Sequence, residues 1–480
     1  MTRDNVLRDA GNLFKLLLQF QKTHLSPIGV MERYHVKLSQ LGFDSCVVVT
    51  AEYHSENATL TKETVYPALC CMIQEHCALA AQIRTGDKSD LPKFIRLSKV
   101  NLDTAVEFRN DDGVPTDELL RRELERKFEF DVPSPLWYLT IIDGRTIIFA
   151  YHHVIADGQS GPALLHAFLC ALNAPSKDIG VLESIISIPI DSTIVGPTEA
   201  YTNITPSISE LFHTLYKMVV PSSWTEAPYA WTGNPVPRTP SLAMTVRCWE
   251  ISATHTSQLL ELCRENQTTL TAFLYTLVIG VLSQLVNSSR SKQQEPYRTI
   301  STVVAVSLRR FTGASPLVLC DQVCSTQSYV PLHDVERDKG GIVYFPWAVA
   351  GQFGLRIQTA IKRSRETLGM LRLLFWLGMA DSYFLGMLGK KRETGLTISN
   401  LGRFPLPNDI KDTGEPSWTL KHAYFAQCDV VRGAAIKMNV MGSPSGTTNI
   451  TFTWGQHSID EDLAEGLIKE VQDLLSAILA

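Results

Sequence analysis

Hydrophobic and polar positions along the chain alternate between a period of two and a period near 3.6, which predicts strands interleaved with helices. Ser45 to Tyr53 is β-branched and bounded by polar residues, so it reads as a strand. Tyr34 to Leu38 and Phe94 to Leu97 read as shorter ones. Thr61 to Thr85 carries Leu69, Met72, Ile73, Cys77 and Leu79 on one helical stripe, and Asp117 to Phe128 is a charged amphipathic helix. Leu136 to Ile142 and Thr146 to Tyr151 flank Asp143-Gly144 and predict a hairpin. Ser160-Gly161-Pro162 starts a helix to about Leu172, with Ser as cap and Pro in the first turn.

The stretch 174–240 is punctuated by nine prolines and reads as a crossing linker with one helix over about 207–219. Beyond it come a strand at Met244 to Glu250, helices at about 254–265 and 270–286, and a strand at Thr299 to Leu308. Leu396 to Ser399, Gly433 to Val440 and Asn449 to Trp454 are further strands. A closing helix spans Ile459 to Leu479, capped near Ser458 or Asp460. Both halves mix sheet and helix, so two α/β units facing each other across a cleft are expected. The division is 1–180, a linker 181–240, and 241–480. No repeat is visible.

Length and composition narrow the picture. The chain has 480 residues, 45% hydrophobic and 19% charged, as folded globular chains do. A net charge of −5 disfavours a general nucleic-acid binder. Ten cysteines without a C-x-x-C pair suggest buried thiols in a reduced, cytoplasmic protein. Five N-x-S/T triplets (Asn57, Asn203, Asn266, Asn287, Asn449) say little. Lys15 interrupts the apolar N-terminus, so no signal peptide is expected, and Leu13 to Phe20 is expected to pack on the body. No run of about 18 uncharged apolar residues is read, so no membrane span is expected. Met370 to Leu388, broken by Arg372 and Asp381, reads as a buried helix pair or a tunnel wall, with peripheral membrane contact as the alternative.

One segment carries chemistry: Tyr151-His152-His153-Val154-Ile155-Ala156-Asp157-Gly158, between a strand and a helix start. Imidazole titrates near neutrality and suits general-base work. Neighbouring residues of an extended chain point to opposite sides, so one histidine faces the cleft and the other the interior. Asp157 can pair with a cation, and Gly158 permits close backbone approach. The divergent histidines and the lack of a third ligand nearby argue against a metal. A structural pair is the plain alternative. Chance occurrence of H-H-x-x-x-D-G is on the order of one in a thousand. No P-loop, G-x-G-x-x-G or G-x-S-x-G is present.

H-H-x-x-x-D-G resembles the active-site motif of the CoA-dependent acyltransferase superfamily, which includes chloramphenicol acetyltransferases and peptide-synthetase condensation domains. Ser26-Pro27-Ile28-Gly29-Val30-Met31-Glu32-Arg33-Tyr34, Val303 to Arg309 and Ile398-Ser399-Asn400-Leu401-Gly402 resemble the fungal alcohol acetyltransferases within it. The likeness covers about 26–470. It implies an α/β (α+β) fold of two chloramphenicol-acetyltransferase-like subdomains, each a mixed sheet flanked by helices, with a channel at their interface. It implies His153 as general base, His152 beside it, and Asp157 as a structural residue paired with an arginine. Arg309 is the candidate partner, with Arg33 and Arg310 as rivals.

Ser399 or Asn400 could donate to an oxyanion, or could simply close a strand with an Asx turn. Phe452-Thr453-Trp454-Gly455 is similar to the D-F-G-W-G of plant acyltransferases but lacks its Asp and first Gly, so a packed strand is expected. His457 is expected to be exposed or capping, and Cys320 and Cys324 to be buried thiols. The implied activity is O-acylation of a small-molecule acceptor, a specialised metabolite, with acetyl-CoA or another acyl-CoA as co-substrate. No permanently bound cofactor and no metal are implied, and a monomer is expected. The alternatives are N-acylation or amide condensation, a non-acylating member using His153 for another proton transfer, and a binding protein with a vestigial motif.

Overall fold

The computed structural model describes residues 24–43, 46–86, 91–111, 113–174, 183–208, 225–288, 297–337, 343–405, 418–428 and 431–480. The N-terminal segment Leu13 to Phe20 and most of the linker helix expected over 207–219 lie outside the described residues.

Two mixed sheets organise the fold. The first has five strands in the order Thr419–Gln427, Cys46–His54, Thr146–His152, Trp137–Ile142 and Val106–Arg109. The second has seven, built on Thr299–Ser307, Leu396–Asn400, Ile436–Gly442, Thr448–Gly455 and Met244–Ile251, with Ala230–Trp231 and Val323–Pro331 flanking the first of these. Three parallel pairings in the second sheet give way to antiparallel ones. The two-sheet, helix-flanked architecture matches the expectation. One strand of the first sheet, Thr419–Gln427, is drawn from the second half of the chain.

Both faces of the first sheet are covered, and strand parity records it. Val47, Val49, Ala51 and Tyr53, with Ile147, Phe149 and Tyr151, face the helices Lys62–Glu75 and Ser160–Asn173. Cys46, Val48, Ile148 and Ala150 face the other way, onto the helix Thr116–Leu124. The hairpin turn has φ 51° at Asp143 and φ 64° at Gly144. Two consecutive left-handed residues match the twist of the strands they join.

Four sequence expectations change. The stripe read over Thr61 to Thr85 is a helix only to Glu75, and is followed by a 3-10 turn Cys77–Ala80 and a strand Ala81–Arg84. Tyr34 to Leu38 is not a strand but part of the helix Val30–Gln40. Five residues are too few to separate the two periods; over eleven, the buried Glu32, His35 and Val36 fall at i, i+3 and i+4. A long uncharged apolar helix does exist, Leu270–Ser288, long and apolar enough to cross a membrane by length and composition. Most of it is buried in the second core, beside the helices Trp347–Trp376 and Glu461–Leu479. Met370 to Leu388 is not a buried pair. It forms the end of the helix Trp347–Trp376 and a short helix Ala380–Leu385, leaving Trp376, Leu377, Met379, Tyr383 and Leu385 exposed. The cavity-lining residues of this region lie three turns earlier, at Gly354, Ile357, Gln358 and Ile361, one face of the same helix.

Phe452 to Gly455 sits in a fully buried strand. Cys320 and Cys324 are buried, and all ten cysteines are free thiols.

Candidate active site

The strand Thr146–His152 ends at the first histidine, and parity decides where that ring goes. His152 follows Ile148 and Ala150 onto the covered face, where Phe128 and Phe130 meet it edge-on. Its Nδ1 accepts from the Val154 N–H at 3.0 Å, so Nε2 carries the proton and donates to Ser39 Oγ at 2.7 Å. Complete burial, with His153 adding repulsion, drops its pKa to about 3. His152 is a neutral structural ring. The chain turns immediately after it, and His153 projects the other way, into a cavity.

Asp157 closes that turn. Its Oδ1 accepts from the Ser160 N–H and Oγ, both at 2.9 Å, so Asp157 rather than Ser160 caps the helix start. Arg309 Nη2 reaches the same oxygen at 2.7 Å, and both residues are buried. Of the three arginines considered from sequence, Arg309 is the partner. Its other amino group donates to the carbonyls of Ser315 and Val318. Asp157 Oδ2 takes the Gln322 N–H at 3.2 Å, while its own N–H donates to the Cys320 carbonyl. The turn is therefore stitched to the segment 320–322 from the second half.

The cavity measures about 420 Å³, within the range of small-molecule sites. Walls come from both halves: His153, Gly158 and Gln159 on one side; Val304 to Ser307, Arg310 and Ser399 to Leu401 on the other. Gly158 is there for room. A Cβ on it would stand 3.0 Å from Phe425 and 3.1 Å from Leu401. Ser399 and Asn400 both line the wall. Asn400 is engaged twice, donating to Thr271 Oγ1 and accepting from the Gly402 N–H in an Asx turn. Ser399 carries no such ties among the described residues.

Two residues that sequence reasoning did not single out complete the site. His35, from the helix Val30–Gln40, stacks on His153 with centroids 3.9 Å apart and planes 8° from parallel. Asp321, in the stitched segment, lies with Oδ1 3.5 Å from His153 Nδ1 and Oδ2 3.5 Å from His35 Nε2. Burial disfavours the His153 imidazolium, but Asp321, with smaller help from Asp157 and the residue's own backbone, outweighs it and raises the pKa. Burial and the neighbouring histidines push His35 well down. Burial and Asp321 push the pKa of Glu32, one turn before His35, well up. A signal existed: Asp321 is the one charge inside the apolar run from Leu317 to Cys324.

The donor atoms of His35, His153 and Asp321 lie within 4.8 Å of one another. They nevertheless fit a metal poorly. Nitrogen lone pairs lie in the ring plane, and two parallel rings 3.9 Å apart aim theirs side by side. One ion about 2 Å from both nitrogens would sit far out of both planes.

Comparison with known proteins agrees with this architecture. The family model described as alcohol acetyltransferase matches residues 27–476. A probable alcohol acetyltransferase of Aspergillus fumigatus is 24% identical, covering 90% of this chain and 95% of its own length. Another from Fusarium pseudograminearum is 23% identical over 81% of this chain and 80% of its own. Among solved structures, the trichothecene 15-O-acetyltransferase of Fusarium sporotrichioides superimposes with TM-score 0.68 at 13% identity, covering 94% of each chain. The condensation domain of the monacolin K polyketide synthase gives 0.61 at 11% identity, covering 95% of this chain and 97% of its own. With a family match spanning nearly the whole sequence and a histidine-lined cavity between two mixed sheets, the chain belongs to the alcohol acetyltransferase family.

Proposed function

We propose that the protein transfers an acetyl group from acetyl-CoA to a hydroxyl of a small-molecule acceptor, with His153 as general base. The observation that carries this reading is the position of His153: the imidazole lines the cavity between the two sheets, with Nδ1 turned toward Asp321. Nε2 is then the nitrogen left to meet a substrate. It takes the acceptor's O–H proton as that oxygen attacks the thioester carbonyl. The tetrahedral oxyanion accepts a hydrogen bond from the Ser399 hydroxyl. As the C–S bond breaks, the imidazolium returns the proton to the leaving thiolate, releasing ester and free CoA. No acyl-enzyme is required.

The test is thiol release from acetyl-CoA over a panel of alcohols and amines, comparing wild type with His153→Ala. Loss of about 10²–10⁴-fold in turnover is expected. A fully active variant would remove His153 from the chemistry. Thiol release with amines and not with alcohols would redirect the reading to N-acylation. No thiol release with any acceptor would exclude acetyl transfer to either class.

A further inference from the structure

We infer that Asp321 is the positioning residue of the His153 base, and that His35 holds the two in register. This rests on His153 being the base.

Asp321 is buried and arrives from the second half of the chain. Neither carboxylate oxygen has a hydrogen-bond partner within ordinary distance among the described residues. Each instead faces one imidazole nitrogen at 3.5 Å. A buried carboxylate left unsatisfied is costly, so a proton on each facing nitrogen is the stable arrangement. That fixes His153 with hydrogen on Nδ1 and its lone pair on Nε2, the form a base needs. The long contacts are of the kind that tighten once substrate excludes water.

His35 supplies the second constraint. Stacked face to face, it blocks rotation of the His153 ring out of the cavity wall. It can be neutral and still donate from Nε2 to Asp321. The Asp321 carboxylate therefore faces the ring on which positive charge develops.

The groups around His153 can be named. Its own turn presents His152 and Asp157; the helix Val30–Gln40 presents His35 and Glu32; the stitched segment presents Asp321; and Arg309 and Arg310 stand behind Asp157 and on the cavity wall. Asp157 also favours the His153 imidazolium, but it is paired with Arg309, and Asp321 is the larger influence and the carboxylate that faces Nδ1. Burial, opposed by His153, raises the Asp321 pKa itself.

Asp321→Asn keeps the shape and removes the charge. Measured by thiol release with full-length protein, kcat should fall about 10²-fold or more. KM for acetyl-CoA should change less than about threefold, and the acidic limb of the pH profile should move to lower pH as the imidazole loses its anion. Asp321→Glu should recover part of the rate. His35→Phe keeps a flat ring and should cost about tenfold. Nitrogen-15 NMR of the wild-type imidazoles supplies a check independent of any variant's folding. His153 should carry its proton on Nδ1.

A proton on Nε2, or Asp321→Asn with near-wild-type kcat and an unmoved acidic limb, would overturn the inference. If His153→Ala is inactive while Asp321→Asn is unaffected, this inference alone fails. If His153→Ala is active, the base assignment fails first.

Discussion

At the scale of single residues, two adjacent histidines of identical chemistry are driven apart by where their rings end up. His152 is sealed among Phe128, Phe130 and Ser39, whereas His153 faces a carboxylate. The sealed ring links stability to pH. Its native pKa is about 3 against roughly 6.5 when unfolded. Below pH 6.5 the unfolded chain binds a proton that the native ring refuses, so stability falls as pH drops toward 3. His153, Glu32 and Asp321 are shifted upward and favour the native state in the opposite direction. Subtraction isolates the sealed ring. Relative to wild type, His152→Gln should lose stability less steeply with acid, by about 1.4 kcal/mol per pH unit between pH 6 and 4. Urea titrations check this; parallel curves would show that His152 does not titrate as described. Asp157 acts through charge and capping together. Asp157→Ala leaves Arg309 buried without its anion and removes the cap, so a loss of about 3–5 kcal/mol is expected. A melting temperature within a degree or two of wild type would contradict that.

At the scale of elements, legibility followed length and period. The hairpin around Asp143-Gly144 and the helix Ser160–Asn173 were readable because the turn chemistry and the stripe agree with the tertiary surroundings. The H-H-x-x-x-D-G turn was readable because its residues are contiguous, and Arg309 was within reach because a buried aspartate needs a cation. His35 was hidden by a period error. Read as a strand, Tyr34 to Leu38 puts His35 opposite its immediate neighbours; in the helix, it shares a face with Glu32. Asp321 was hidden by distance, since 168 positions separate it from His153 and no periodicity spans that gap. The helix read over about 270–286 was correct, but its length as an apolar run, Leu270–Ser288, was underrated because Thr, Ser and Gln interrupt its apolar residues. Those hydroxyls are satisfied inside the helix itself, Thr276 on the Ala272 carbonyl and Ser283 on that of Ile279. Its polar residues therefore did not require an exposed face.

At the scale of the whole molecule, the two sheets are not independent bodies. Thr419–Gln427 pairs along Cys46–His54, yet its neighbours in sequence belong to the second sheet. Across the junction, Asn449 Nδ2 donates to the Ala423 carbonyl and Thr451 Oγ1 to that of Phe425. The stitched segment adds a second tie, from the Asp157 N–H to the Cys320 carbonyl and from the Cys320 N–H to Ser160 Oγ. Unfolding the second half alone would strip an edge strand from the first sheet and expose Val47 and Val49 beside it. It would also leave Asp157 buried without Arg309. Neither half offers a stable partly folded partner for the other. Heating should therefore give one cooperative transition, with a calorimetric enthalpy equal to the van't Hoff value, although chains of this length commonly unfold in stages. Two resolved transitions, one leaving the first sheet intact, would mean that the crossing strand is dispensable. A cavity walled by both halves would then lack the rigidity needed to hold His153 and Asp321 at their separation.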